Sequence, residues 1–519
     1  MKKKQMLSKA QQEINEIRRK SGVKLAPWKG FYHKNGGAAN QVTNLDLFHG
    51  TTVQVCGLYP FSAGSASPLI GVPVGHNIYT GATVCCDPIS WFARAKLINN
   101  PSCFIFGNPG LGKSTYVRRQ LIGLCAQGIQ PLVLGDLRPD YVDVVRKLEG
   151  QVISLQEGVS HLNILDPGDA TSGIKIIRKA IELATVQGND EQVKRLENAI
   201  HEIYETTKGY QKNTLFSIIT LLRGTEPSIV EGNVIAAALS ELNDKFKTST
   251  TPPILKDLYE LIVKPTKKIR AAAMDRNEDE RYKDATEELQ AALMSLIEGG
   301  RFGTIFSKQT SEPMKIDKPV VFDISKLNTQ DKTMRAAVLM ACWTTGFGTV
   351  QIAKLLAELG LEEQRHYFIV MDEMHQALGA GSGMVDRIDY LTRLNRAEGV
   401  GQAMITHTPK DLFALPTEED RQKASGLVER SGLKVLGGLS KQDLDMLDKI
   451  IDLSQTEKDL VNSWQSPAGF SENASPPGRG NFLIKIGGKP GIPVHVRLTK
   501  TEMEGGVHAT SSMWEHLDK

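Results

Sequence analysis

The sequence predicts an α/β protein with a parallel-dominated central sheet, an all-α insertion and a C-terminal β-hairpin. Three observations carry this reading. Short apolar strands alternate with helical patterns at 103–136 and again at 320–405, the rhythm of a parallel sheet covered by helices. Residues 170–299 instead show helical spacing with i,i+4 charge pairs and few β-branched runs. Near the end, Phe482-Leu483-Ile484-Lys485-Ile486 and Val494-His495-Val496-Arg497-Leu498 flank Gly487-Gly488, as the arms of a hairpin would.

At 519 residues the chain exceeds one compact core, so more than one domain is expected. Apolar residues make up 40% and charged residues 23%, and the net charge of +3 does not mark a dedicated nucleic-acid binder, although a local basic surface fits within such a balanced total. The charge is uneven. Residues 1–46 form a basic tail whose first 34 positions carry ten Lys or Arg against Glu13 and Glu16. It reads either as an arm for anionic lipid or nucleic acid or as a solvated, partly helical face. The six cysteines form no CxxC pair, so neither a zinc site nor a disulfide framework is indicated and a reducing compartment is expected. No secretory signal follows the basic start.

Residues 47–98 read as a β-rich lead-in broken by Gly and Pro turns. Cys103-Phe104-Ile105-Phe106 is an apolar strand that runs into a glycine loop, and a helical pattern opens at Ser114. A second strand, Pro131–Gly135, ends on Asp136. The α/β core is thus expected over 99–169 and 300–505, with the insertion at 170–299 and a tail at 506–519. Residues 336–353 are uncharged over eighteen positions, the lower limit for a membrane span. Three Thr, two Gly and a preceding strand favour a helix buried beside the sheet, so no transmembrane anchor is expected.

The loop itself is Gly107-Asn108-Pro109-Gly110-Leu111-Gly112-Lys113-Ser114, followed by Thr115. Two Gly, a Lys and a Ser at this spacing, between strand and helix, make a phosphate-binding loop (Walker A). The glycines let successive backbone N–H groups turn toward phosphate oxygens, and the helix N-terminus adds partial positive charge. Lys113 is expected on the β- and γ-phosphates of ATP, and the Ser114 hydroxyl on Mg²⁺. A glycine-rich turn with a coincidental Lys-Ser is the competing reading, and the flanking strand and helix argue against it. The second half-site (Walker B) is Tyr367-Phe368-Ile369-Val370-Met371-Asp372-Glu373. Asp372 is expected to hold Mg²⁺ through water, and Glu373 to polarise the attacking water, which favours hydrolysis.

In this order the blocks resemble the HerA/FtsK superfamily of P-loop ATPases, most closely the VirB/TraC-type ATPases of type IV secretion and conjugation. Asn99–Ser114, Asp136-Leu137-Arg138-Pro139-Asp140-Tyr141, Leu162-Asn163-Ile164-Leu165-Asp166-Pro167, Gly300–Phe306, Phe322–Leu327, Asp372-Glu373-x-His375 and Arg479–Gly488 carry the likeness. The resemblance implies a RecA-like P-loop NTPase core working as a homo-hexamer, with an arginine supplied across each interface. Arg393 and Arg396 are the candidates for that finger and Arg301 a third; a surface or ion-paired arginine is the alternative for each. The strand at 401–405 ends in Thr406-His407-Thr408 where the superfamily usually carries a sensor glutamine. His407 is therefore either a γ-phosphate sensor or a plain strand-end histidine. Only about a hundred residues precede the loop, so a separate chain is expected to supply the family's N-terminal domain. The resemblance implies an ATP-hydrolysing motor subunit of a secretion or conjugation apparatus, cytoplasmic or peripheral at the inner membrane face. Other channel components are its expected partners. The alternative is a HerA/FtsK-like DNA translocase or coupling ATPase, with DNA as partner.

Overall fold

The computed structural model describes Glu16 and residues 68–508, apart from 248, 250, 298, 301, 328–330, 379–384, 386–387, 390–391, 393–398, 416, 466–475 and 477. Within these residues one sheet is built from β1 (Pro73–Asn77), β2 (Thr83–Cys85), β3 (Ser102–Phe106), β4 (Ile129–Asp136), β5 (Gln151–Ser154), β6 (Val320–Asp323), β7 (His366–Met371), β8 (Val400–Ile405), β9 (Leu433–Leu436), β10 (Asn481–Lys485) and β11 (Ile492–Val496). The order is β2-β1-β11-β10-β9-β3-β8-β7-β4-β6-β5. From β9 to β5 every pairing is parallel. On the other side β10, β11, β1 and β2 pair antiparallel, and β10 joins β9 the same way. β10 and β11 are the expected hairpin.

Strand alternation divides the core into two layers. Phe104 and Phe106 point to one face with Leu132, Leu134, Ile369 and Met371. Cys103 and Ile105 point to the other with Val133, Val321, Phe368 and Val370. Both faces are covered, which is why these strands are continuous apolar runs rather than alternating ones.

The long helix Lys332–Glu358 lies under the first face. It is long and apolar enough to cross a membrane, but its apolar window is 94% buried inside the protein. Close approach explains one of its glycines. A Cβ on Gly346 would stand 2.5 Å from both methyl carbons of Leu134 on β4, so a larger residue there requires the Leu134 side chain to move.

The insertion is helical, with helices Ala170–Val186, Asp190–Arg223, Ile229–Phe246, Leu255–Val263, Lys267–Ala273 and Asp279–Leu296. Their limits follow from local chemistry. The Asn189 side chain caps the second helix by accepting from Gln192 N–H, and Gly224 ends it at φ 77°. Ser228 and Glu231 form a reciprocal capping box at the start of the third.

Candidate nucleotide site

Parallel strands β3, β4, β7 and β8 all end on the same edge, and the loops that leave them converge there, as open α/β sheets dictate. The chain leaving β3 turns through Gly110 (φ 80°) and Gly112 (φ 98°), conformations that residues with a Cβ rarely adopt. Neighbouring loops hold this turn in place. Gly107 N–H donates to His407 O at 3.1 Å, Asn108 N–H to Gly438 O at 3.1 Å, and Gly480 N–H to Leu111 O at 3.0 Å. The helix Lys113–Cys125 then starts without a side-chain cap. Its first N–H groups therefore remain for an anion.

Lys113 is largely buried at the helix start and donates to Gly107 O and to His407 Nδ1, the latter at 3.0 Å. Burial pulls its ammonium below the usual lysine range, against the raising charges of Asp372, Glu373 and Asp411. Since lysine only donates, His407 carries its proton on Nε2, which sits 3.1 Å from Glu373 Oε2. His407 thus bridges the phosphate-loop lysine and the carboxylate. The loop after β8 fixes the imidazole, because Asp411 accepts from Thr406 Oγ1 at 3.0 Å and Thr408 N–H at 3.1 Å.

Glu373 sits just beyond β7 at φ 50°, a left-handed conformation unusual for a residue with a Cβ. Such strain persists where surrounding structure over-determines it, commonly at functional sites. Burial pushes its carboxyl up, but the hydrogen bond from His407 and the neighbouring His375 and Arg138 hold it on balance below the usual range. Glu373 is therefore ionised at neutral pH. His375 Nδ1 lies 3.3 Å from the same oxygen, and burial lowers its imidazole. Asp372 is pushed up to about 6, by burial first and by the adjacent Glu373 charge second. It accepts from Tyr141 OH at 2.7 Å and from Glu373 N–H at 2.7 Å.

These groups line a cleft of about 930 Å³. Pro109, Gly110, Gly112, Lys113, Ser114, Thr115, Asp372, Glu373 and His407 face it. Gly107, Asn108 and Leu111 support the loop from behind through the backbone bonds just described. Arg393, Arg396 and Arg301 lie outside the described residues. No sequence signal assigns a site role to Arg118, Asp140, Tyr141 or Arg479, although the Asp136–Tyr141 and Arg479–Gly488 blocks contain three of them. Arg118, Asp140 and Arg479 line the cleft, together with Arg138 and Lys326. Arg479 is carried there on the turn before β10, whose Gly480 bonds to the phosphate loop. The exposed side chains of Arg138, Lys326 and Arg479 give the cleft an electropositive rim suited to phosphates.

Among the described residues no group of three or more His, Cys, Asp or Glu could hold a metal ion. The oxygens facing the cleft include the Ser114 hydroxyl and the Asp372 carboxylate. This set fits Mg²⁺, which takes one or two protein oxygens and completes its shell with phosphates and water.

No protein-family model and no curated protein matches the chain. Solved structures do. The chain is similar to VirB4 of Thermoanaerobacter pseudethanolicus over 85% of its own length and 100% of that chain, with a TM-score of 0.59 at 18% identity. It has the fold of VirB4. The RecA-like P-loop core expected from the sequence is present, with a mixed sheet and a helical insertion. A weaker likeness is to the plasmid coupling protein TrwB in complex with ADP and Mg²⁺, with a TM-score of 0.46 at 10% identity over 77% of this chain and 86% of that one.

Proposed function

We propose that this chain is an ATP-hydrolysing motor subunit of a type IV secretion or conjugation apparatus, converting ATP and water to ADP and phosphate. The observation that carries the hydrolytic reading is the bonded series Lys113–His407–Glu373, with Asp372 adjoining it, on the edge of a VirB4-like sheet. In this reading the loop 107–115 holds the phosphates, with Lys113 exchanging its present partners for β- and γ-oxygens. Ser114 and Asp372 would hold Mg²⁺, which when bound neutralises charge between those phosphates. Glu373, ionised and oriented by His407, accepts a hydrogen bond from the attacking water and draws its proton. His407, released from Lys113, donates to the γ-phosphate through Nδ1 once that nitrogen is protonated, in the imidazolium form.

The VirB4-like fold and the family resemblance support the placement in a secretion machine and a hexameric ring at the inner membrane face. An arginine of the neighbouring copy, Arg393, Arg396 or Arg301, would complete each site. Purified full-length protein should show Mg²⁺-dependent phosphate release from ATP. Lys113→Ala should lower it about 100-fold or more, through lost stabilisation of phosphoryl charge. Undiminished turnover in that variant would sink the assignment.

A further inference from the structure

The loop between β4 and the helix Val142–Lys147 touches both metal-facing side chains at once, and it is stiffened to do so. Asp136, 2% exposed at the end of β4, accepts from Asp140 N–H at 3.1 Å and from Tyr141 N–H at 2.7 Å. That pair of bonds fixes the direction in which residues 140 and 141 project. Asp140 Oδ2 accepts from Ser114 Oγ at 3.0 Å, and its Oδ1 takes Arg118 Nη2 at 3.0 Å. Arg118 is itself buried, on the phosphate-loop helix, and its Nε donates to the Asp140 carbonyl. One residue on, Tyr141 is fully buried, and its hydroxyl donates to Asp372 Oδ2 at 2.7 Å across a separation of 231 residues.

The geometry points to the loop Asp136–Tyr141 acting as a clamp that sets Mg²⁺ affinity, with Asp140 aligning Ser114 and Tyr141 aligning Asp372. The inference rests on the nucleotide reading above. Partners that orient ligating groups from behind fix their direction before the ion arrives, and losing one typically costs about 10- to 100-fold in metal affinity. Tyr141 is a positioning residue in this scheme. A buried tyrosine also needs a hydrogen-bond partner merely to satisfy its hydroxyl, so the test must separate the two roles.

The measurement is a Mg²⁺ titration of full-length wild type, Tyr141→Phe and Ser114→Ala, following binding of a fluorescent ATP analogue by anisotropy, with EDTA as the zero. Tyr141→Phe keeps the buried ring and removes one hydroxyl. It should bind the analogue in EDTA as wild type does, while its half-saturating Mg²⁺ rises about 10- to 100-fold. Ser114→Ala, lacking a ligand outright, should shift at least as far. Coincident Mg²⁺ midpoints for Tyr141→Phe and wild type would overturn the clamp. An equal loss of affinity with and without Mg²⁺ would overturn it too, by making Tyr141 a packing residue. A wild-type chain that binds no nucleotide in either condition would instead bring down the nucleotide reading, and the clamp with it.

Discussion

Strands β9, β3, β8, β7, β4, β6 and β5 run parallel, and the loops leaving β3, β4, β7 and β8 carry Lys113, Asp140, Asp372 and His407. Strands β2, β1, β11 and β10 run antiparallel on the other side, and their neighbourhood is filled with committed polar pairs. Lys485 on β10, almost fully buried, holds both Glu457 oxygens at 2.9 and 3.0 Å, and Glu457 also takes Gly491 N–H at 2.6 Å. Arg119, on the phosphate-loop helix, reaches Pro73 O on β1 at 2.9 Å and Glu502 at 2.8 Å. In the parallel half, by contrast, Glu373 is held in a left-handed backbone and Arg138 and Lys326 face an open cleft. The contrast separates two uses of polar residues. One half keeps groups strained or exposed for a ligand, and the other commits them to holding the frame.

If this division is right, substitutions in the two halves should have opposite signatures. The largest effect is expected at Glu373. Glu373→Gln should lower ATP turnover about 100- to 10,000-fold, with melting temperature and nucleotide affinity near wild type. Next is Lys485→Met, which leaves the Glu457 carboxylate buried without its partner. It should cost about 3 kcal/mol of stability in denaturant unfolding, while nucleotide affinity stays unchanged at temperatures where the variant is folded. If Glu373→Gln destabilised the protein as much as Lys485→Met, the division would not hold.

The smallest effect is a matter of pH. Burial pushes Glu502 up, but bonds from His508, Thr499 and Arg119 hold it at about 2. A carboxyl depressed in the folded state contributes stability above its unfolded pKa of about 4.3 and loses it as pH falls toward 2. Glu502→Gln should therefore flatten the acid limb of a stability profile between those values, without altering turnover at neutral pH. An unchanged acid limb would remove Glu502 from the frame.

What was legible in the sequence was what is local. The glycine loop is contiguous, Asp372 and Glu373 follow directly on an apolar strand, and the uncharged run at 336–353 lies within the buried helix Lys332–Glu358. β5 and β9, four residues each, are too short to show alternation, and neither stood out. The helices Leu255–Val263 and Lys267–Ala273 likewise carry no separate signal within the insertion. The contacts that assemble the site are less legible still. Tyr141 meets Asp372, and Arg479 reaches the phosphate-loop cleft, only once the sheet has brought distant loops to one edge.

The antiparallel flank has a consequence for how the molecule forms. β1 at Pro73–Asn77 pairs with β11 at Ile492–Val496, so more than 400 residues must be made before that ladder can close. Contacts this remote in sequence carry a large loop-closure cost and slow folding. On the ribosome, the seven-stranded parallel half lacks β9 until residue 436 has emerged, and Arg119 waits for Glu502. The phosphate loop thus precedes most of its sheet neighbours in the chain and is among the last features to be braced. Nascent chains should reach nucleotide-binding competence late, after an interval in which apolar strands near the N-terminal side stand unpaired and open to chaperones.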